Sequence, residues 1–213
     1  MTDLYLFTGD KKYLDFCYYI VDSYNVKDGP ALIKTLNATD GRVDKTANAK
    51  AYEMMSNLVG LIKLYKITGD TSVYNPVLKS WKHIAANRLY ITGTTCSFEH
   101  FKDDHVLPAG VNDHMGEGCV TTTWIQMNYQ LLLLSGKMQY LDELERGAYN
   151  HLMGAENPQT GCVSYYTPLE GQKPFGCNIT CCMSSVPRGI AMIPHEYDPI
   201  QGSGDAHVHV AME

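Results

Sequence analysis

The sequence predicts an all-α chain built as an array of helical hairpins, and two observations carry that reading. A motif recurs: LYLFTGDKKYLDF (4–16) resembles LYKITGDTSVYNPV (64–77), and LLLLSGKMQYLDEL (131–144) is a looser third copy. Each copy reads as the end of an apolar helix, a Gly-centred turn and the start of a second helix. The stretches that lead into the later turns place their apolar residues at helical spacing. Copies about sixty residues apart suit an array of hairpins with long connections.

The first hairpin turns at Gly9, the second at Gly69 and the third at Gly136, each where a left-handed C-cap is expected. In the first two copies Asp10 and Asp70 follow as N-cap candidates. Between the first and second turns, Tyr52, Met55, Leu58, Val59, Ile62 and Tyr65 share one broad helix face. Trp124, Met127, Leu131 and Leu134 do the same before the third. Core packing is the expected fate of all of these. The segments 26–45, 90–118 and 154–180 are rich in Gly, Asp and Thr and read as long loops, which inside a domain usually serve function. At the C-terminal end DPIQGSGD reads as a linker, and AHVHVAM alternates as a strand does. The expected division is therefore a helical domain over 1–195, then over 196–213 a linker and the start of a β domain.

Composition bounds the partners. The net charge of −6 gives a nucleic-acid partner no electrostatic support. No apolar run is long enough to span a membrane, and the N-terminal residues lack the basic start and apolar core of a signal peptide. A cytoplasmic protein is expected. The opening residues read as the interior of a helical repeat, which suggests a truncated chain.

Seven cysteines are present: Cys17, Cys96, Cys119, Cys162, Cys177, Cys181 and Cys182. An odd number, four of it crowded between 162 and 182, argues for reduced thiols rather than a secreted disulfide framework. Cys17 reads as a small core residue, and Cys96, Cys162 and Cys177 as core or partly exposed thiols.

Three stretches carry possible chemistry: TTCSFEHF (94–101), MGEGCVTTTW (115–124) and NITCCMSSVPRG (178–189). The second sets Glu117-x-Cys119 just before a helix, with Thr121, Thr122 and Thr123 as cap candidates. The third sets Cys181 and Cys182 before a helix whose start is marked by Ser184 or Ser185 and by Pro187. A helix N-terminus lowers a thiol pKa. Three thiolates and one carboxylate would complete a tetrahedral zinc set. The spacing alone also allows solvated carboxylates, buried thiols, or a redox-active disulfide between the adjacent cysteines. His100, His105 and His114 share a loop with Glu99 and read as solvated or satisfied histidines, with a sugar-binding role open.

KAYEMMSNLVGLIKLYKITGD, GEGCVTTTW and TCCMSSVPRGIAMIP together resemble the β-L-arabinofuranosidase-type glycoside hydrolases, family 127 and its relatives, over roughly residues 1–195. The E-x-C and C-C combination is the specific part. The resemblance implies a partial (α/α)6 toroid followed by β-sandwich material. It implies zinc held by Glu117, Cys119, Cys181 and Cys182, with Cys181 as nucleophile and Glu99 as acid/base. Tyr165 and Tyr166, with His100, are then candidate sugar contacts, and the substrate an arabinofuranoside or related plant-glycan sugar. Acid/base work would require a Glu99 pKa raised toward neutrality. Half a ring leaves apolar faces uncovered, which predicts low solubility or a homodimer. The competing expectations are a catalytically inactive chain with a structural zinc, a thiol redox protein, and a toroid acting on another sugar.

Overall fold

A computed structural model of the chain describes the backbone of residues 1–201 and the side chains through residue 193. The expected AHVHVAM strand and the second half of the expected DPIQGSGD linker lie outside the described residues. Nine α-helices are described: α1 (Thr2–Thr8), α2 (Lys11–Ser23), α3 (Leu32–Ala38), α4 (Ala51–Thr68), α5 (Thr71–Asn87), α6 (Gly118–Ser135), α7 (Met138–Glu145), α8 (Met153–Ala155) and α9 (Cys181–Gln201). A π-helical turn, Arg146–Leu152, joins α7 to α8. Two short strands, β1 (Val163–Ser164) and β2 (Phe175–Gly176), pair antiparallel with Val163 opposite Gly176.

The three hairpins are α1–α2, α4–α5 and α6–α7. Gly9, Gly69 and Gly136 close them with φ of 70°, 69° and 65°. A side chain would strain each turn, which explains why the repeat keeps Gly there. Asp10 and Asp70 cap as expected, accepting from the amides of Lys12 and Ser72. Lys137 replaces the aspartate in the third copy, and that helix begins with no side-chain cap.

α6 is the central element. It packs on α4, α9, α7 and the π-helical turn. Met55, Leu58 and Ile62 of α4 and Trp124, Met127 and Leu131 of α6 are fully buried. Trp124 stacks on Trp81 of α5 at 6.1 Å between ring centroids. The Trp81 indole N–H donates to Asn128 Oδ1 at 2.7 Å, satisfying a polar group inside this core. A second apolar cluster gathers Cys119, Ile125, Leu144, Ala148, Leu152, Val163, Cys182 and Val186. The site described below sits against it.

Two segments depart from the expectation of open loops. The 26–45 stretch contains α3, whose Leu32 and Leu36 enter the core. α9 runs on to Gln201, so the backbone is helical past residue 196, where the sequence suggests a linker. On α1 and α2, Leu6, Phe7, Phe16 and Tyr19 are exposed.

Candidate metal centre and active site

Two helix starts build the site. α6 begins at Gly118, with Glu117 extended at the N-cap (φ −60°, ψ 130°). α9 begins at Cys181, so the vicinal cysteines are its first two residues rather than the loop before it. The N-cap hydroxyl comes from Thr180, which accepts from the Met183 amide at 3.2 Å. Ser184 and Ser185 are therefore interior. Ser185 is buried, its hydroxyl 3.3 Å from Cys119 Sγ. Thr121, Thr122 and Thr123 are likewise buried helix residues and not caps. Thr122 bonds across to the Ser185 carbonyl, tying α6 to α9. The helices meet so closely at Gly118 that a Cβ there would lie 2.4 Å from Val186 Cγ2.

This crossing brings Glu117, Cys119, Cys181 and Cys182 together, with ligand-type atoms all within 4.8 Å of one another. Cys182 Sγ lies 3.5 Å from Cys119 Sγ and 3.9 Å from Glu117 Oε1. Glu117, Cys119 and Cys182 are buried, whereas Cys181 is exposed at the edge. Glu117 Oε2 is buried with no hydrogen-bond partner, which is costly for a carboxylate.

Four acidic groups this close cannot all ionise in a dry pocket. The S–H of Cys182 draws the Cys119 thiol down to about 6. That negative sulfur, with burial, pushes Cys182 well up, and burial raises Cys181. Burial, then the charge at Cys119, pushes Glu117 up to about 8. A cation among the four would remove these penalties together and give Oε2 a partner. The residues fit a metal ion.

A second acidic group, Asp44, His83 and Asp104, also converges. There the Arg88 guanidinium already supplies the positive charge, at 2.6 Å from both aspartates.

Glu99 stands beside the cysteine cluster. Phe98 and Glu99 form a two-residue turn, Ser97 and His100 exchanging backbone hydrogen bonds across it. Both central residues have positive φ, 49° and 63°. Such a turn ordinarily recruits Asn-Gly, so Phe-Glu here holds real backbone strain. Tyr165 and Tyr166 both donate to Glu99 Oε1, at 2.8 and 3.2 Å. Cys181 Sγ lies 3.3 Å from the Tyr165 hydroxyl. One phenol thus links Cys181 to Glu99.

Lys50 Nζ lies 3.3 Å from Glu99 Oε2. The expectation of a raised Glu99 pKa is not met. The Tyr165 hydrogen bond, aided by Lys50, outweighs desolvation and holds the carboxyl below its usual value. The His100 ring turns back to the Phe98 carbonyl, Nδ1 2.5 Å from its oxygen. His114 lies between Phe98 and Tyr166, ring centroids 4.6 and 4.7 Å away.

Cys162 and Cys177 are joined as a disulfide, Cα atoms 4.7 Å apart, contrary to the expectation of reduced thiols. It ties together the β1–β2 hairpin that presents Tyr165 and Tyr166. Cys181 and Cys182 are both free in this structure. Lys50 escapes sequence reasoning, and Ser185 enters it only as a cap candidate, not as the neighbour of Cys119. Lys50 faces Glu99 only because residues 49–51 pair with 99–101. Thr180, three residues before Met183, was the readable signal for the α9 start, obscured by the two serines that follow.

A family model for the β-L-arabinofuranosidase GH127 catalytic domain matches residues 1–195. A non-reducing end β-L-arabinofuranosidase from Bifidobacterium longum subsp. longum is 26% identical, over 91% of this chain and 35% of its own. A solved GH127 β-arabinofuranosidase is 30% identical with a TM-score of 0.73, covering 92% of this chain and 31% of that one. A GH127 β-L-arabinofuranosidase from Geobacillus stearothermophilus T6 shares the fold, with a TM-score of 0.72 at 21% identity over 90% of this chain and 36% of that one. The chain spans about a third of the length of these relatives.

Proposed function

Because this chain belongs to the β-L-arabinofuranosidase GH127 catalytic-domain family, we propose that it carries the catalytic centre of a retaining glycosidase acting on β-L-arabinofuranosides or related plant-glycan sugars. Residues 1–195 are then part of an (α/α)6 catalytic toroid. Glu117, Cys119, Cys181 and Cys182 would hold zinc, the cation that three thiolates and a carboxylate suit best. Zinc in that place would keep the thiols ionised at neutral pH and moderate their basicity.

The observation that carries the reading is the path from Cys181 to Glu99 through one hydroxyl. Cys181 is the exposed member of the cluster, and so the sulfur that a sugar can reach. In the first step its Sγ bonds to the anomeric carbon as the C–O bond breaks, and Glu99 gives a proton to the departing oxygen. In the second, Glu99 takes a proton from water, whose oxygen displaces the sulfur. The contacts of Glu99 in this structure favour its carboxylate, the form the second step uses. The first step requires the acid form, and hence a weakening of the Tyr165 hydrogen bond and the Lys50 contact that hold Glu99 down. Tyr165 keeps the Glu99 carboxyl group in place through both, as carboxylic acid in the first and as carboxylate in the second.

Metal analysis and a chromogenic β-L-arabinofuranoside test this reading. Stoichiometric zinc, turnover, and loss of turnover in Cys181→Ser with the fold retained are expected. Undiminished activity in Cys181→Ser would remove Cys181 as nucleophile. Zinc that sets thermal stability without hydrolysis of any glycoside would favour a structural site.

A further inference from the structure

His151 lies outside the cysteine cluster, yet it is fully buried and both ring nitrogens are engaged. Its Nε2 is 2.9 Å from the Gly116 carbonyl, and its Nδ1 is 3.2 Å from the Thr92 hydroxyl. A carbonyl can only accept, so Nε2 carries the proton and Thr92 donates to Nδ1. Burial pushes the imidazole down to about 4, which keeps it neutral in that tautomer.

Three features converge on this contact. Gly116 immediately precedes Glu117 and has φ +67°. A Cβ on it would lie 2.3 Å from His151 Cε1, so the backbone approaches the ring as only glycine permits. His151 itself sits in the π-helical turn Arg146–Leu152, an irregularity that recurs at functional sites. Neighbouring bonds hold the same segment: the Gly116 amide donates to the Cys96 carbonyl, and the Gly118 amide to the Tyr165 carbonyl.

We infer that His151 is the positioning residue of the metal-ligand loop, its N–H to the Gly116 carbonyl fixing the turn that delivers Glu117 and Cys119 to the cluster. The inference rests on the metal-site reading above and extends it to a residue that touches no ligand atom. Groups that orient ligands from behind typically govern metal affinity by ten- to a hundredfold.

The test compares wild-type protein with His151→Phe, which fills the space without a donor, and His151→Gln, whose amide can replace Nε2–H. In metal-free protein, hydrogen exchange at the Glu117 and Gly118 amides should rise at least tenfold in the Phe variant, while exchange in the middle of α4 stays put. Cobalt titration should show the thiolate charge-transfer bands weakened, and cobalt affinity lowered about 10- to 100-fold. Gln should restore much of both.

Should His151→Phe fail to fold, Thr92→Val removes only the hydroxyl that sets the tautomer and should shift exchange in the same direction. Wild-type exchange at Glu117 and Gly118 in a folded variant would overturn the inference. If the wild-type protein takes up no metal, the metal reading fails, and the metal-free exchange data still decide the role of His151.

Discussion

Gly118→Ala is the sharpest test of how the two helix starts are joined. Replacing a mid-helix glycine by alanine ordinarily stabilises a protein by about 0.5–1 kcal/mol, and at the first residue of α6 the gain is smaller. Here the new methyl would stand 2.4 Å from Val186 Cγ2 and 3.5 Å from Cys182 Cβ. Real contacts of this kind rarely fall below about 3.4 Å, so α6 and α9 must part by roughly 1 Å. Overpacking of that kind costs about 1–3 kcal/mol. Set against the glycine gain, the net loss should be about 1–2 kcal/mol, or roughly 2–8 °C in Tm for a chain of this size. The displacement acts on Cys119 relative to Cys182, whose sulfurs are 3.5 Å apart. Metal affinity should therefore fall as well, separately from stability. Thermal unfolding of metal-free protein and chelator competition on loaded protein read the two effects. Val186→Ala removes the opposing methyl, so the double variant should be more stable than the two single losses predict, a coupling of about 1 kcal/mol or more. A Gly118→Ala protein that is as stable as wild type and binds metal equally would refute the contact argument.

Three further outcomes follow from other parts of the fold. Burial works against ionisation of Asp44, but hydrogen bonding from Arg42 and the charge of Arg88 overcome it and hold the carboxyl down at about 2. A depressed carboxylate stabilises the fold above its unfolded pKa near 4 and loses that contribution as pH falls toward 2. Asp44→Asn should therefore flatten the acid limb of stability measured by urea unfolding between pH 5 and pH 2, by about 1–2 kcal/mol after solvent screening. Asn128→Leu leaves the Trp81 indole N–H without its acceptor and should cost about 1–3 kcal/mol in denaturant unfolding, most of it recovered by adding Trp81→Phe. Cys162→Ser opens a 15-residue loop and should cost up to about 3 kcal/mol, with Tyr165 and Tyr166 loosened from Glu99. Thiol counting under denaturing, non-reducing conditions should find five reactive cysteines in wild type; seven would show that the pair is not formed.

The hairpins were readable because their determinants are local. A left-handed turn needs Gly at one position, and an N-cap needs Asp or a similar residue next to it. Gly69 and Asp70 declare both within two residues. The residue types alone allowed the cysteine and glutamate set, but singling it out took a resemblance, since nothing local says that 117–119 and 181–182 meet. The start of α9 was misplaced because three hydroxyl residues lie within six positions, and only the backbone geometry selects Thr180. The 162–177 pairing depends on the register of β1 against β2, which two-residue strands barely encode. The Glu99 environment went against expectation for the same reason. Lys50 and Tyr165 are remote in sequence, and their approach reverses the effect that burial alone would have.

The split of the metal set across two helix starts also has a consequence in time. Cys119 and Cys182 are 63 residues apart. At about 5–20 residues per second, synthesis delivers the second pair of sulfurs roughly 3–13 s after the first. In that interval Glu117 and Cys119 can offer a cation only half a cage. Cation capture in the proposed centre therefore waits for the second helix start, and a newly made chain short of metal would have its three described hairpins yet leave the proposed centre unsealed.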